Sequence, residues 1–261
     1  MEKGKIYQDL ENDFASTFIR ELLPGVLHNF ANPLNGIMGR SKLLQRRIDA
    51  AIKKLNEQFP ETAAAFQDEV QRITNDIRSV NKETESFFDM FRDATGKFYA
   101  LATKGEERIN LSHLLGAEMR FANFYLEFKH EITKKVQFDH DIPDLMGNTA
   151  ELSLVFWRLI RFAMARALNS EKKEFFLVTH HNDKDVVVLM KYTGEAVNDG
   201  DNNIVNDFLS GEADDLVLAK LEEGVLLALA ILKKYSARVE FAKESNQNLL
   251  SVAIPYRGSA A

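Results

Sequence analysis

His28 is the residue best suited to covalent chemistry. It lies in the run Leu27-His28-Asn29-Phe30-Ala31-Asn32-Pro33-Leu34-Asn35-Gly36-Ile37. Near neutral pH an imidazole is largely uncharged, so a ring nitrogen is free to attack an electrophile such as phosphorus. Its neighbour Asn29 is an amide and cannot take a proton as a carboxylate would. Asn32 stands one helical turn beyond the histidine. Pro33 lacks an amide donor, and inside a helix it frees a carbonyl at a cost on the order of 3 kcal/mol. A helix that keeps a proline one turn past a histidine marks a place where bending is useful. On the residues alone, a surface histidine with no role remains the other reading.

Other groups carry weaker signals. Arg158, Arg161 and Arg166 share one helical face, and arginine suits phosphate; a solvated face with salt bridges is the expected reading. His180-His181-Asn182-Asp183 and Asp139-His140-Asp141 hold metal-ligating residue types. Both fall at strand ends or turns with no partner at useful spacing, so polar loops are expected. Gly211-Glu212-Ala213-Asp214-Asp215 reads as a solvated acidic loop. Phe121, Phe124, Tyr125 and Phe128, at helical spacing, are expected in the core.

The elements that position His28 are long helices. From Leu23, core-type residues recur at alternating steps of four and three through Leu27, Phe30, Leu34, Ile37, Ser41, Leu44, Ile48, Ala51 and Leu55. Pro60 is placed to end this helix and Thr62 to cap the next. A second series runs Phe66, Val70, Ile73, Ile77, Val80, Thr84, Phe87, Phe91, Ala94, Phe98 and Leu101. Residues 8 to about 104 are predicted as long helices, and the unbroken heptads from Leu23 predict a coiled-coil-like seam. A two-helix hairpin leaves apolar surface uncovered, and pairing two hairpins into a four-helix bundle buries it. A homodimer is therefore expected.

After Gly96 and Gly105 the periodicity changes. Helices are predicted at Asn110–Lys129, Ala150–Leu168 and Gly224–Tyr235, with a long loop from Gly194 to Asp215 holding a short helix at Ile204–Leu209. Strands are predicted at Phe175–Thr179, Val186–Lys191, Ala237–Ala242 and Leu249–Ile254. The fold class is thus α+β. An N-terminal helical hairpin forming a dimeric four-helix bundle, residues 1–106, precedes an α/β sandwich domain, residues 107–261.

Composition bounds the function. The 261 residues are 45% hydrophobic and 28% charged, enough to build a core. A net charge of −6 argues against nucleic acid as a partner. No cysteine is present, so disulfides and thiolate metal sites are excluded, which fits a cytoplasmic protein. The N-terminus MEKGKIYQDLENDF lacks a signal-peptide core, and no run is apolar enough to span a membrane. No room is left for a sensor domain, so any input signal is expected from another protein.

The segment around His28 resembles the H-box of bacterial two-component sensor histidine kinases, in which a histidine is followed after four residues by Pro-Leu. The hairpin is similar to their dimerisation and histidine-phosphotransfer domain. The resemblance implies that His28 is the phosphoacceptor. It also implies that Asn32 orients water for dephosphorylating a partner or contacts that partner. Asn29 replaces the usual acidic base.

The second half resembles the ATP-binding domain of the same kinases. The likeness lies in the lead-in from Gln137 through Asp144, Leu145, Gly147-Asn148 and Glu151-Leu152, the helix Gly224–Tyr235, and the closing hairpin Arg238–Phe241 with Leu249–Pro255. It implies three nucleotide-binding parts, and each departs. In Trp157-Arg158-Leu159-Ile160-Arg161-Phe162-Ala163-Met164-Ala165-Arg166, Arg158 and Phe162 occupy the positions of the family's magnesium-holding asparagines, and neither ligates a cation. The adenine-reading turn is Lys191-Tyr192-Thr193-Gly194-Glu195, with no aspartate. The lid glycines are reduced to Gly224 before Val225-Leu226-Leu227.

The reading that follows is a histidine phosphotransferase in a phosphorelay. It is similar to histidine phosphotransferases whose ATPase domain has decayed. It would receive and pass on a phosphoryl group at His28 between response-regulator receiver domains. No cofactor and no metal are expected. A divergent kinase or receiver phosphatase is the alternative within the enzyme class, and a non-catalytic pseudokinase scaffold is the alternative outside it.

Overall fold

The computed structural model describes residues 23–212, 221–244 and 246–256. The predicted helical stretch before Leu23 and the Ala213–Asp215 part of the acidic loop lie outside the described residues. The chain divides into two compact units between Phe98 and Tyr99.

The first unit is built from α1 (Leu23–Gln58), α2 (Pro60–Ala65) and α3 (Gln67–Ala102). Pro33 lies inside α1. As expected, α1 ends just before Pro60, and Pro60 then opens α2, because its missing N–H costs nothing at a first helical position. Thr62 is therefore interior to a one-turn helix and caps nothing, and the chain enters α3 after Phe66.

The heptad seam divides into two columns. Leu27, Leu34, Ser41, Ile48 and Leu55 on α1, with Val70, Ile77, Thr84, Phe91 and Phe98 on α3, are buried or half-buried within the hairpin. Phe30, Ile37 and Leu44 on α1, Phe66 at the end of α2, and Ile73, Val80 and Phe87 on α3 are each at least 50% exposed. Both exposed columns repeat every seven residues, so each is a continuous stripe along its helix.

A polar layer crosses the hairpin between the two helices. The Ser41 hydroxyl donates to Asn81 Oδ1, and Asn81 Nδ2 donates to Gln45 Oε1. Lys42 pairs with Glu85 at 2.9 Å beside them. A polar layer of this kind satisfies its bonds in one alignment only and so sets the register of the two helices.

The second unit runs β1 (Glu107–Ile109), α4 (Leu111–Ala122), α5 (Leu126–Glu131), β2 (Thr133–Gln137), β3 (Leu145–Gly147), α6 (Thr149–Leu168), β4 (Glu174–His181), β5 (Asp185–Tyr192), α7 (Asp199–Ser210), α8 (Glu223–Lys234), β6 (Arg238–Glu244) and β7 (Gln247–Pro255). The five-stranded sheet has the order β2-β4-β5-β7-β6, with β1-β3 a small antiparallel pair apart from it. Only β2 and β4 are parallel; the other neighbours are antiparallel. The core lies between one sheet face and helices α4, α6 and α8. Alternation along β7 shows why: Asn248, Leu250, Val252 and Ile254 are buried and their neighbours are not.

The helix signals are local. Asn110, Asn148 and Asn198 each cap a helix, accepting from the backbone N–H three residues on at 3.1, 3.1 and 2.9 Å. The helix predicted over Asn110–Lys129 is broken at Asn123, where tight i→i+3 bonds turn the chain before α5. The short helix predicted at Ile204–Leu209 extends over the whole of α7. Strand β2 has no sequence signal, because an edge strand rich in lysine and mostly exposed lacks apolar alternation. Among the described residues no helix is long and apolar enough to cross a membrane.

Candidate functional site

His28 and Asn29 are helical residues of α1, and their side chains lie outside the described residues. Around them, Leu27 is half-buried and Leu34 is buried in the hairpin, while Asn32 and Pro33 are exposed. Asn32, four residues after His28, thus presents its amide to solvent on the same helix. Gly36 and Gly39 follow, with open space where a side chain would stand.

In the second unit, three segments far apart in sequence come together: the middle of α6, the turn after β5 and the start of α8. Phe162 is 1% exposed, with its ring edge-on to Tyr192 at 6.1 Å and to Phe241 at 6.0 Å between centroids. The Arg166 guanidinium covers the same ring at 3.7 Å. Apolar and aromatic carbon therefore fills this part of the α6 face, and it offers a hard cation no oxygen. Burial pushes the Tyr192 hydroxyl up to about 12, against the lowering influence of Arg166.

Two glycines let the backbones close on α6. A Cβ at Gly194, whose φ is +112°, would stand 2.2 Å from the Arg166 carbonyl oxygen. A Cβ at Gly224 would stand 2.3 Å from Arg158 Nε. Asn248 holds the first turn from the sheet side, donating to the Gly194 carbonyl at 2.9 Å.

The three arginines do not act together. Arg158 and Arg166 converge on Glu222. Arg161 instead lies over the Tyr125 ring at 5.4 Å. Glu222 was not a sequence candidate: it lies 64 residues from Arg158, and nothing local to it signals the pairing.

Two further expectations are corrected. His181 does have a partner, since its Nδ1 lies 2.9 Å from Asp139 Oδ2, a contact made when the sheet aligns the end of β4 with the loop after β2. The Asp139 carboxyl is held below its usual range first by the Asp141 backbone N–H and then by His181. Among the described residues no three His, Cys, Asp or Glu are grouped to hold a metal ion. Of the aromatic row, Phe128 is fully buried, but Phe124 and Tyr125 are exposed because the turn at Asn123 swings them outward.

Another arrangement without a local signal joins α6 to α8. Tyr235 accepts from the Asn148 backbone N–H and donates to Glu151 Oε2, both at 3.0 Å, and Lys234 pairs with Glu151 at 3.0 Å. Burial raises the Tyr235 hydroxyl, and this network ties the two helices at one end.

No family model matches the chain, and no curated protein matches it in sequence. Solved structures do resemble it. The catalytic domain of the histidine kinase ThkA is 13% identical, with a TM-score of 0.47, covering 59% of this chain and 97% of that one. The Acinetobacter baumannii histidine kinase AdeS is 10% identical at a TM-score of 0.44, covering 78% of this chain and 98% of that one. Full-length ShkA, solved in complex with AMPPNP, is 15% identical at a TM-score of 0.41, and the match covers 93% of this chain but 47% of ShkA. These are likenesses of outline, and no residue's role is taken from them.

The middle of α6 thus presents a buried phenyl ring and two guanidinium groups.

Proposed function

We propose that the chain is a histidine phosphotransferase of a two-component phosphorelay that works as a homodimer through its hairpin. One observation favours relay over a self-loading kinase: Phe162 is 1% exposed and packed between Tyr192 and Phe241 where a magnesium-holding side chain would be required. The exposed heptad stripes of α1 and α3 support pairing of two hairpins.

In the transfer itself, a ring nitrogen of His28 attacks the phosphorus of an aspartyl phosphate on a docked receiver. A P–N bond forms as the bond from phosphorus to the aspartate oxygen breaks, and the carboxylate leaves. The reverse step on a second receiver returns the histidine to its starting state. Such a transfer depends on in-line positioning and on the receiver's own magnesium more than on side chains of this chain. The second unit, residues 107–261, then serves as a docking surface that selects receivers.

The test is incubation of the purified chain with a phosphorylated receiver. Label should appear on the chain and then on a second receiver, and His28→Ala should abolish both, a loss of at least ~1000-fold expected for removing the group that carries the bond. No uptake from any cognate receiver would sink the proposal. Exposed Asn32 supports a second reading, a receiver phosphatase. The same assay distinguishes it, since label would leave the receiver as free phosphate without passing through the chain.

A further inference from the structure

Two arginines and one carboxylate meet between α6 and α8, and their charges do not balance. Arg158 Nη2 donates to Glu222 Oε2. Arg166 Nη1 lies 3.7 Å from Oε1 of the same carboxylate, too far for a hydrogen bond. Among the described residues the Arg166 guanidinium makes no hydrogen bond, although its side chain is only 19% exposed. The Nε atoms of both arginines are buried without a partner. Buried donors are normally satisfied, so a cluster of unmet ones needs a physical reason.

Glu222 points to that reason. It is the N-cap residue of α8, yet its side chain makes no capping bond and turns to α6 instead. It stands where an anion would, but with one charge against two guanidinium groups and with one oxygen out of bonding reach. The two arginines sit eight residues apart on one helix, a rise of ~12 Å. Their side chains nevertheless fold toward a single carboxylate, so one small anion can serve both. The scaffold around them is already close-packed: Gly224 lies against Arg158, Gly194 against the Arg166 backbone, and Phe162 under the Arg166 guanidinium.

We propose that Arg158 and Arg166 form a binding site for a phosphate-class oxyanion, and that Glu222 occupies it as a built-in competitor. A dianion neutralises both guanidinium groups and brings enough acceptor oxygens for two forks, which a carboxylate cannot. Its arrival displaces Glu222 from α6, freeing that side chain to cap α8 or to face solvent. The site belongs to the second unit and does not depend on His28.

The test is calorimetric titration of the full chain with sodium pyrophosphate, without magnesium and at low ionic strength. Glu222→Gln keeps the shape and removes the competing charge, and it should bind at least ~10-fold more tightly than the native chain. Arg166→Gln, added to Glu222→Gln, should lose that gain. Arg166→Lys should keep part of it, because charge remains but the planar fork does not. Arg161→Gln, on the other side of α6, should change nothing. Circular dichroism melting shows which variants are folded; if Arg166→Gln is not, Arg166→Lys carries the comparison.

Equal affinity in the native chain and Glu222→Gln would overturn the site, as would full affinity in a folded Arg166 variant. Silence toward pyrophosphate and toward ATP with magnesium would remove this proposal alone. Binding of ATP with magnesium in the absence of pyrophosphate binding would remove it together with the relay reading. His28→Ala should bind pyrophosphate as the native chain does.

Discussion

Gly194 shows how much one residue decides in this molecule. Its φ of +112° is open to glycine and strained for any L side chain, and a Cβ there would meet the Arg166 carbonyl at 2.2 Å. The turn is thereby pressed onto α6, and Asn248 holds it from behind. Gly194→Ala should destabilise the second unit by about 2–4 kcal/mol, combining backbone strain with the displacement of a packed helix. A loss of that size lowers the melting midpoint by roughly 5–15 °C in a domain of this size, read by calorimetry. An unchanged midpoint would mean that the turn and α6 are not in contact. The identity of Phe162 alone excludes magnesium ligation, but it does not give the ring's place in the core. Side-chain chemistry is a property of the residue, but its ring partners Tyr192 and Phe241 come from β5 and β6.

At the scale of elements, the hairpin is the clearest case of physics carried by periodicity. Steps of four and three predict one seam; the structure splits it into an inner column that closes the hairpin and an outer one left bare. Fully burying a large apolar side chain contributes ~1.5–3 kcal/mol, so covering the exposed half of each outer residue is worth on the order of 1 kcal/mol. Seven such residues per chain make a strong case for a partner of the same pattern. Ile37→Lys together with Val80→Lys should convert a dimer to monomer in light scattering after size exclusion. Neither side chain closes the hairpin itself, so helical circular dichroism should be retained. A dimer that survived both lysines would show that the stripes are not the interface.

For the whole molecule, the division of labour matters more than any one contact. The hairpin bears the histidine and the uncovered stripes, while the second unit bears a core in which aromatic carbon and arginine meet on α6. On the relay proposed above, the chain depends on another protein for its phosphoryl group. Incubated alone with labelled ATP and magnesium, it should incorporate nothing at His28. Labelling at a rate that scales with chain concentration, and that disappears in His28→Ala, would make it a kinase after all.

Local rules determined much of this protein from the sequence. The heptads, the asparagine caps of α4 and α6, and the strand pattern of β4, β5 and β7 all depend on neighbours within a few residues. The sequence by itself thus determined two kinds of half, a candidate histidine, and the chemistry a side chain lacks. Tertiary structure alone decided which seam column stays bare, that β2 joins the sheet as a parallel edge, that His181 meets Asp139, and that Glu222 reaches Arg158 and Arg166. Those outcomes depend on pairs separated by tens of residues and on the burial a whole core imposes, which no local period encodes.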